Sequence, residues 1–451
     1  MDILLAVFGF AVIIITMILL MKGKVSPIVV MIAVPVVSGL LYYYIKAFTG
    51  GEVGVTEVFG LVAGYVKKGV STTTYNAILL LFSITFFGIM NDVGVFDVIV
   101  NALLKKAGTN VIAVTVATSL IAVIGHLDGA TVTTVLVTVP ALYPIYKKLN
   151  IRPQVLLLLT GAAMGVMNLV PWGGPTVRAA TVLEMDANAL WMSLIPIQVF
   201  GLVCAVGLGV IMGIIEKKRG AGNVDLSAVN AADENSAEKK EHQDLVRPNL
   251  VWFNGFLVAA LIIALALDLA TSYVLFMMAL ALALVVNYPS MKQQDARIKA
   301  HAGGALIVAG TMLAAGAFVG VLGESGMLDA MTNVLLSLVP GFLGKYVHII
   351  FGVLGLPLGM VTGTDAYFYG IMPLVIGVGE SYGIAGINTA MAMLLGKNVS
   401  LLISPMVPAT YLAIGFTDVS LKEHIKFSFP WLFGISVLMV FAGVLMGIVA
   451  I

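Results

Sequence analysis

Charge is what this 451-residue chain has least of: Asp, Glu, Lys and Arg together make up 10% of it. A soluble domain carries roughly a quarter of its residues as charges, so a soluble globular fold is excluded. The net charge of +1 leaves no basic surface and excludes nucleic acid as a partner. Cysteine is nearly absent. The single Cys204 lies in an apolar segment, so neither an internal disulfide nor a multi-cysteine metal site can form. Catalytic signatures are missing as well: there is no HExxH helix, no Gly-x-Ser-x-Gly elbow and no closely spaced Asp-rich metal motif, which argues against an intramembrane enzyme. Residues 3–21 follow the acidic Asp2 instead of a basic stretch, and Lys22 and Lys24 come after them. That pattern marks a retained helix, not a cleaved signal peptide.

What the chain has is apolar length. Hydrophobic residues make up 60% of it and mean hydropathy is +1.07. Apolar segments fall near 3–21, 27–46, 72–91, 109–147, 153–171, 188–215, 249–267, 271–288, 304–322, 343–379, 384–404 and 428–450, many of them at the roughly 18–20 residues that cross a bilayer core. The fold class expected is an all-α polytopic membrane protein. Stretches 94–107 and 326–338 have amphipathic periodicity and read as helices lying along the interface.

Residues 216–248 form the only long polar segment and read as a cytoplasmic linker between two halves, 1–215 and 249–451. The halves repeat each other: 88–104 aligns without gaps on 320–336, matching Gly88/Gly320, Gly94/Gly326, Asp97/Asp329 and Asn101/Asn333. Pro171, Thr176 and Ala179 fall on Pro405, Thr410 and Ala413 at a constant offset. Each half holds five crossings if 109–147 and 343–379 are re-entrant hairpins, and an odd number inverts one half relative to the other. That arrangement gathers most Lys and Arg on the linker side and leaves Lys46, Lys67, Lys68 and Lys345 outside, as the positive-inside rule requires.

The hairpin tips, near 126–134 and 357–368, are polar knots within apolar surroundings. Ionisable groups at membrane depth are costly and mark functional sites. Each tip is followed by a span that prolines interrupt, near 171–176 and 405–410. A broken span turns the positive end of its second half and its free carbonyls towards the midplane, suited to an anion and a cation respectively. The candidate substrate site therefore takes His126, Asp128, Gly129 and Thr131 from the first tip, and Asn168, Gly173, Gly174, Pro175, Thr176 and Arg178 from the first broken span. The second half contributes Thr362, Gly363, Thr364, Asp365, Lys397, Asn398, Ser404 and Thr410. Thr133 and Thr134 offer further hydroxyls. Alternatives stand beside these roles. Asp128 and Asp365 could cap the helices after them, and His126 could be a packed histidine or a ligand contact or proton carrier. Arg178 could snorkel, and Lys397 could pair with Asp365. Asp92 and Glu324 read as interfacial, and Trp172, Tyr367 and Tyr369 as packing or interface residues.

LDGATVTT…LYPIYKKLNIRP, GVMNLVPWGGPTVRAA, GTDAYFYGIMPL and SPMVPATYLAIGF…HIKFSFPW together resemble the bacterial citrate–divalent metal:proton symporters (CitMHS) of the ion transporter superfamily, across both halves. The resemblance implies a multi-pass protein of the bacterial cytoplasmic membrane, homodimeric, that imports citrate bound to a divalent cation such as Mg²⁺ or Ca²⁺ in symport with protons, by an elevator mechanism. It implies no resident cofactor, the metal being cargo. Under it, Asp128 and Asp365 are the expected metal contacts, since Mg²⁺ is usually held by few protein carboxylates. The first tip departs from the family pattern: Ala130-Thr131-Val132 stands where typical members carry a second acidic residue and a Ser-Thr pair. The rival reading is a Na⁺-coupled carrier of di- or tricarboxylates or hydroxy acids from the same superfamily.

Overall fold

A computed structural model describes residues 3–50, 53–222, 245–338 and 340–450. Most of the expected linker, residues 223–244, lies outside the described residues. Among those described there is no strand, and eight helices are long and apolar enough to cross a membrane, or nine if one bent pair counts as a span. The protein is an all-α polytopic membrane protein.

Its frame is a pair of long helices, Val58–Asp92 and Met291–Glu324, that cross where both have lost their side chains. A Cβ on Gly69 would lie 2.1 Å from the Gly316 carbonyl oxygen, and one on Gly320 would lie 2.5 Å from that of Tyr65. Without a hydrophobic drive between helices in lipid, such small-residue contacts are what hold a crossing together. Pro27–Phe48 packs on the second long helix and Ser272–Asn287 on the first, so the frame is built twice from matching parts. Both long helices exceed the apolar windows at 72–91 and 304–322. They extend through polar turns that contain Lys67 and Lys68, or Lys292 to His301, because no breaker stops them.

The repeat is visible in backbone detail. Gly94 and Gly326, matched in sequence, have φ of 80° and 76°, a left-handed conformation that suits glycine. Each turns its chain from a long helix into an amphipathic one, Val95–Ala107 or Met327–Leu338. The expectation for the matched acids holds for one of them. Glu324 forms a surface pair with Lys68 at 2.6 Å. Asp92 is buried and bonds His301 at 2.8 Å and Arg297 at 3.5 Å, because the second long helix passes over it.

The first hairpin is Val111–Gly125 and Thr131–Lys148. The second is more irregular than expected. Its entering arm breaks at Leu354 into Val347–Val353 and Gly355–Thr362, and its leaving arm opens with a π-helical turn, Ala366–Ile371, before Met372–Ser381. The bend at the tip is 117°. The broken spans are Pro153–Met167 with Gly174–Val182, and Gly386–Lys397 with Pro408–Thr417. In the second, a 3₁₀ turn over Asn398–Ile403 tightens the chain before the break. The following helices are Ala187–Lys218 and Leu421–Leu445. The first of these runs through the opening residues of the expected linker, where Glu216 is buried and pairs with Arg152 and Arg219. The second starts earlier than its apolar window because Ser420 and Glu423 form a capping box.

Candidate functional site

Each tip is tied to the break that follows it. Trp172 Nε1 donates to the Leu127 carbonyl at 2.7 Å in the first half, and Ser404 Oγ to the Met360 carbonyl at 2.8 Å in the second. Glycine makes the close approach possible. Gly173 could not carry a side chain, since its Cβ would stand 2.2 Å from the Asn168 oxygen. Gly363, at φ 78° and ψ 178°, holds a backbone conformation essentially reserved for glycine.

Both tips and both breaks converge on a cavity of about 480 Å³, within the range of small-molecule sites. Asp128, Gly129 and Thr131 line it from the first tip, Asn168, Gly174, Pro175 and Arg178 from the first break, and Thr364 and Asp365 from the second tip. The sequence reading missed the rest of the wall. Leu80, Ile84, Gly304 and Val308 come from the two long helices, and Leu401, Met406, Val407, Pro408 and Ala409 from the second break. These carry no polar signature and are placed only by the crossing of distant elements. Trp172, expected as a packing or interface residue, also lines the cavity while it makes its hydrogen bond. A larger hollow of about 650 Å³, bounded by Ser71, Tyr75, Asp186, Asp268 and Thr271, contains no tip or break residue.

The charged groups sort themselves. Arg178 does not snorkel: its Nε lies 2.6 Å from Asp365 Oδ1, and its Nη1 donates to the Gly174 carbonyl at 3.0 Å. Lys397, fully buried, does not take Asp365. Its Nζ donates to Thr364 Oγ1 at 2.9 Å and lies 5.3 Å from the Phe368 ring centre. Gly359 leaves room for the lysine stem, since a Cβ there would meet Lys397 Cγ at 2.4 Å. The capping alternative fails for Asp365, whose side chain makes no cap bond. Asp128 accepts the Ala130 N–H at 2.8 Å, a turn formed one residue before the helix begins. That bond occupies one carboxylate oxygen and sets the carboxylate at the cavity wall.

Several expected contacts are structural. Thr176 donates to the Asn168 carbonyl at 3.0 Å, Thr410 to that of Ser404 at 2.9 Å and Thr362 to that of Leu358 at 2.9 Å. None of these three lines the cavity, nor do His126, Gly173, Gly363, Lys397, Asn398 or Ser404. Thr134 is spent on His126, whose Nδ1 it meets at 2.5 Å. Among the described residues His126 Nε2 and both side-chain polar atoms of Asn398 are buried without a hydrogen-bond partner. Tyr367 and Tyr369 are buried, with hydroxyls on the Met393 carbonyl and Met312 sulfur. They are packing residues.

Relatives support the same architecture. The fold is similar to that of the YdaH transporter of Alcanivorax borkumensis, whose crystal structure revealed an unusual topology. The TM-score is 0.63 at 15% identity, covering 94% of this chain and 99% of that one, and identity so low speaks for the fold alone. Two Bacillus subtilis proteins match along their whole length and 99% of this chain. One is a citrate transporter, 36% identical, and the other a Mg²⁺/citrate complex secondary transporter, 32% identical. The family model for citrate transporters matches residues 3–396. A multi-pass protein of the bacterial cytoplasmic membrane, transporter and not enzyme, this chain belongs to the citrate transporter family.

Proposed function

We propose that the protein imports citrate as a complex with a divalent cation such as Mg²⁺ or Ca²⁺, in symport with protons. The observation that carries this reading is the Arg178–Asp365 pair. Free citrate near neutral pH holds close to three negative charges, yet Arg178, the one cation among the residues that line the cavity, is already neutralised by a carboxylate. Complexing a divalent cation removes two charges and leaves a compact, nearly univalent anion. The first turn of Gly174–Val182, which lines the cavity through Gly174 and Pro175, suits such an anion, and Lys397 stands behind the wall on the Thr364 hydroxyl. Asp128 and Asp365 are the carboxylates of the cavity wall, and with cargo oxygens they can complete a hard cation's shell. The name of the Mg²⁺/citrate relative favours the same cargo.

The cavity lies between two bodies, the hairpins with their broken spans on one side and the crossed long helices on the other. Sliding of the first body along the second carries the site across the bilayer, an elevator movement, with the frame held in a homodimer. The halves 1–215 and 249–451, joined by 216–248, are inverted repeats in this scheme.

The test is labelled citrate uptake into proteoliposomes under an inward proton gradient. Mg²⁺ or Ca²⁺ should raise uptake about tenfold or more over EDTA. Asp128→Asn, which keeps the acceptor for Ala130, should lower it about tenfold at near-unchanged melting. Uptake fastest in EDTA refutes the metal complex, and uptake that needs Na⁺ instead of a proton gradient refutes proton coupling.

A further inference from the structure

Arg178 and Asp365 come from opposite halves of the chain, and both face the cavity. Their side chains are 16% and 20% exposed. The other buried carboxylates with ion-pair partners among the described residues lie away from the cavity, Asp92 with His301 and Arg297 being one. Glu216, held by Arg152 and Arg219, is 0% exposed and lies away from the cavity. Two opposite charges that line a ligand site yet satisfy each other are a pair that a ligand must open.

We infer that the Arg178–Asp365 pair is an exchange latch, closed in the empty carrier and replaced on loading by two new pairs, the cation with Asp365 and a cargo carboxylate with Arg178. The inference rests on the metal–carboxylate reading of the cargo. Its physical basis is that separating a partly buried pair without replacing both partners strands a charge in a medium that solvates it poorly. A free carboxylate that takes Arg178 leaves Asp365 ionised beside an incoming anion. A free cation that takes Asp365 leaves Arg178 unmet. The complex brings both partners together, so it opens the latch with no stranded charge. When cargo leaves, the pair closes again and the empty carrier returns with these two groups neutralised, whereas a half-loaded carrier holds an unmet charge at membrane depth. Coupling between cation and anion is then a property of this one pair, not of a strong affinity for either alone. Lys397 stands outside the exchange. It bonds the Thr364 hydroxyl, so it has no carboxylate to release.

The experiment is thermal stabilisation of the full-length protein in detergent by MgCl₂ alone, by citrate with EDTA, and by citrate with MgCl₂. The wild type should shift only with both. Asp365→Asn frees Arg178, so citrate with EDTA should now stabilise. The gain in citrate affinity from Mg²⁺, about tenfold or more in the wild type, should shrink to within about twofold. Arg178→Gln frees Asp365, so MgCl₂ alone should give a shift that the wild type lacks. The two variants report independently, so either decides if the other does not fold. The latch is overturned if Asp365→Asn keeps the wild-type Mg²⁺ dependence, or binds neither form while melting normally, or if folded Arg178→Gln ignores MgCl₂. A wild type stabilised more by citrate in EDTA than with MgCl₂ overturns the cargo reading and the latch with it. The latch alone fails only in the variants.

Discussion

Thr176 and Thr410 do the same work in the two halves of the chain. Each is fully buried, and each donates its hydroxyl back across a break, to the carbonyl of Asn168 at 3.0 Å or of Ser404 at 2.9 Å. A span interrupted inside a bilayer leaves carbonyls that water cannot reach, so they must be met by the protein itself. The sequence offset that pairs these threonines reflects that need more than it reflects cargo binding.

Replacing Thr176 with valine keeps its shape and strands the Asn168 carbonyl, whereas in Thr410→Val the Ser404 carbonyl still accepts the Val407 N–H at 3.2 Å. Thr176→Val should cost about 1–3 kcal/mol and Thr410→Val about 0.5–1.5 kcal/mol, seen as lower melting temperatures in detergent, while the serine variants stay near wild type. Valine variants that melt normally but fail to bind citrate would return these hydroxyls to the cargo site.

The inverted arrangement proposed for the halves would set the hairpins on opposite sides of the membrane. In a Cys204→Ser background, Lys147→Cys at the base of the first hairpin should react with a membrane-impermeant maleimide only from the cytoplasm. Lys345→Cys, just ahead of the second hairpin, should react only from outside. Both positions are exposed. Labelling of the two from the same side contradicts the inversion.

Lys397 is a fully buried cation whose hydrogen bond goes to a hydroxyl. Among the described residues no carboxylate lies within ion-pair distance of it. Lys397→Met removes a buried charge and keeps the stem beside Gly359, so the protein should melt at or above the wild-type temperature. Citrate uptake should fall about tenfold or more, the pattern expected where a destabilising group is kept for function. A variant that loses stability and uptake together would make Lys397 a structural residue.

Much of this molecule was legible in sequence because the bilayer leaves a chain few choices. Apolar length fixes where spans can be, and Asp128-Gly129 or Gly363-Thr364-Asp365 inside such a run supplies the turn chemistry of a tip. Pro171 and Pro175, or Pro405 and Pro408, read as breaks because each pair follows a polar hairpin, while Pro35, Pro196 and Pro430 sit inside continuous helices. Those constraints are local, and the tips and the breaks followed from them, whereas the repeat matched Gly94 with Gly326 and the structure alone gave both a left-handed turn. Helix ends were less legible, since the long helices begin in polar turns that hydropathy does not count. Partner choice was not legible at all. Arg178, Lys397 and Asp365 are far apart in the chain, and sequence allows Asp365 to either cation. Only the packing of Gly174–Val182 against the second tip gives it to Arg178, and only the space above Gly359 buries Lys397 against Thr364. The apolar wall of Leu80, Ile84, Gly304 and Val308 was hidden for the same reason. A contact between distant helices depends on where two glycine-lined surfaces cross, and no stretch of sequence contains both sides of it.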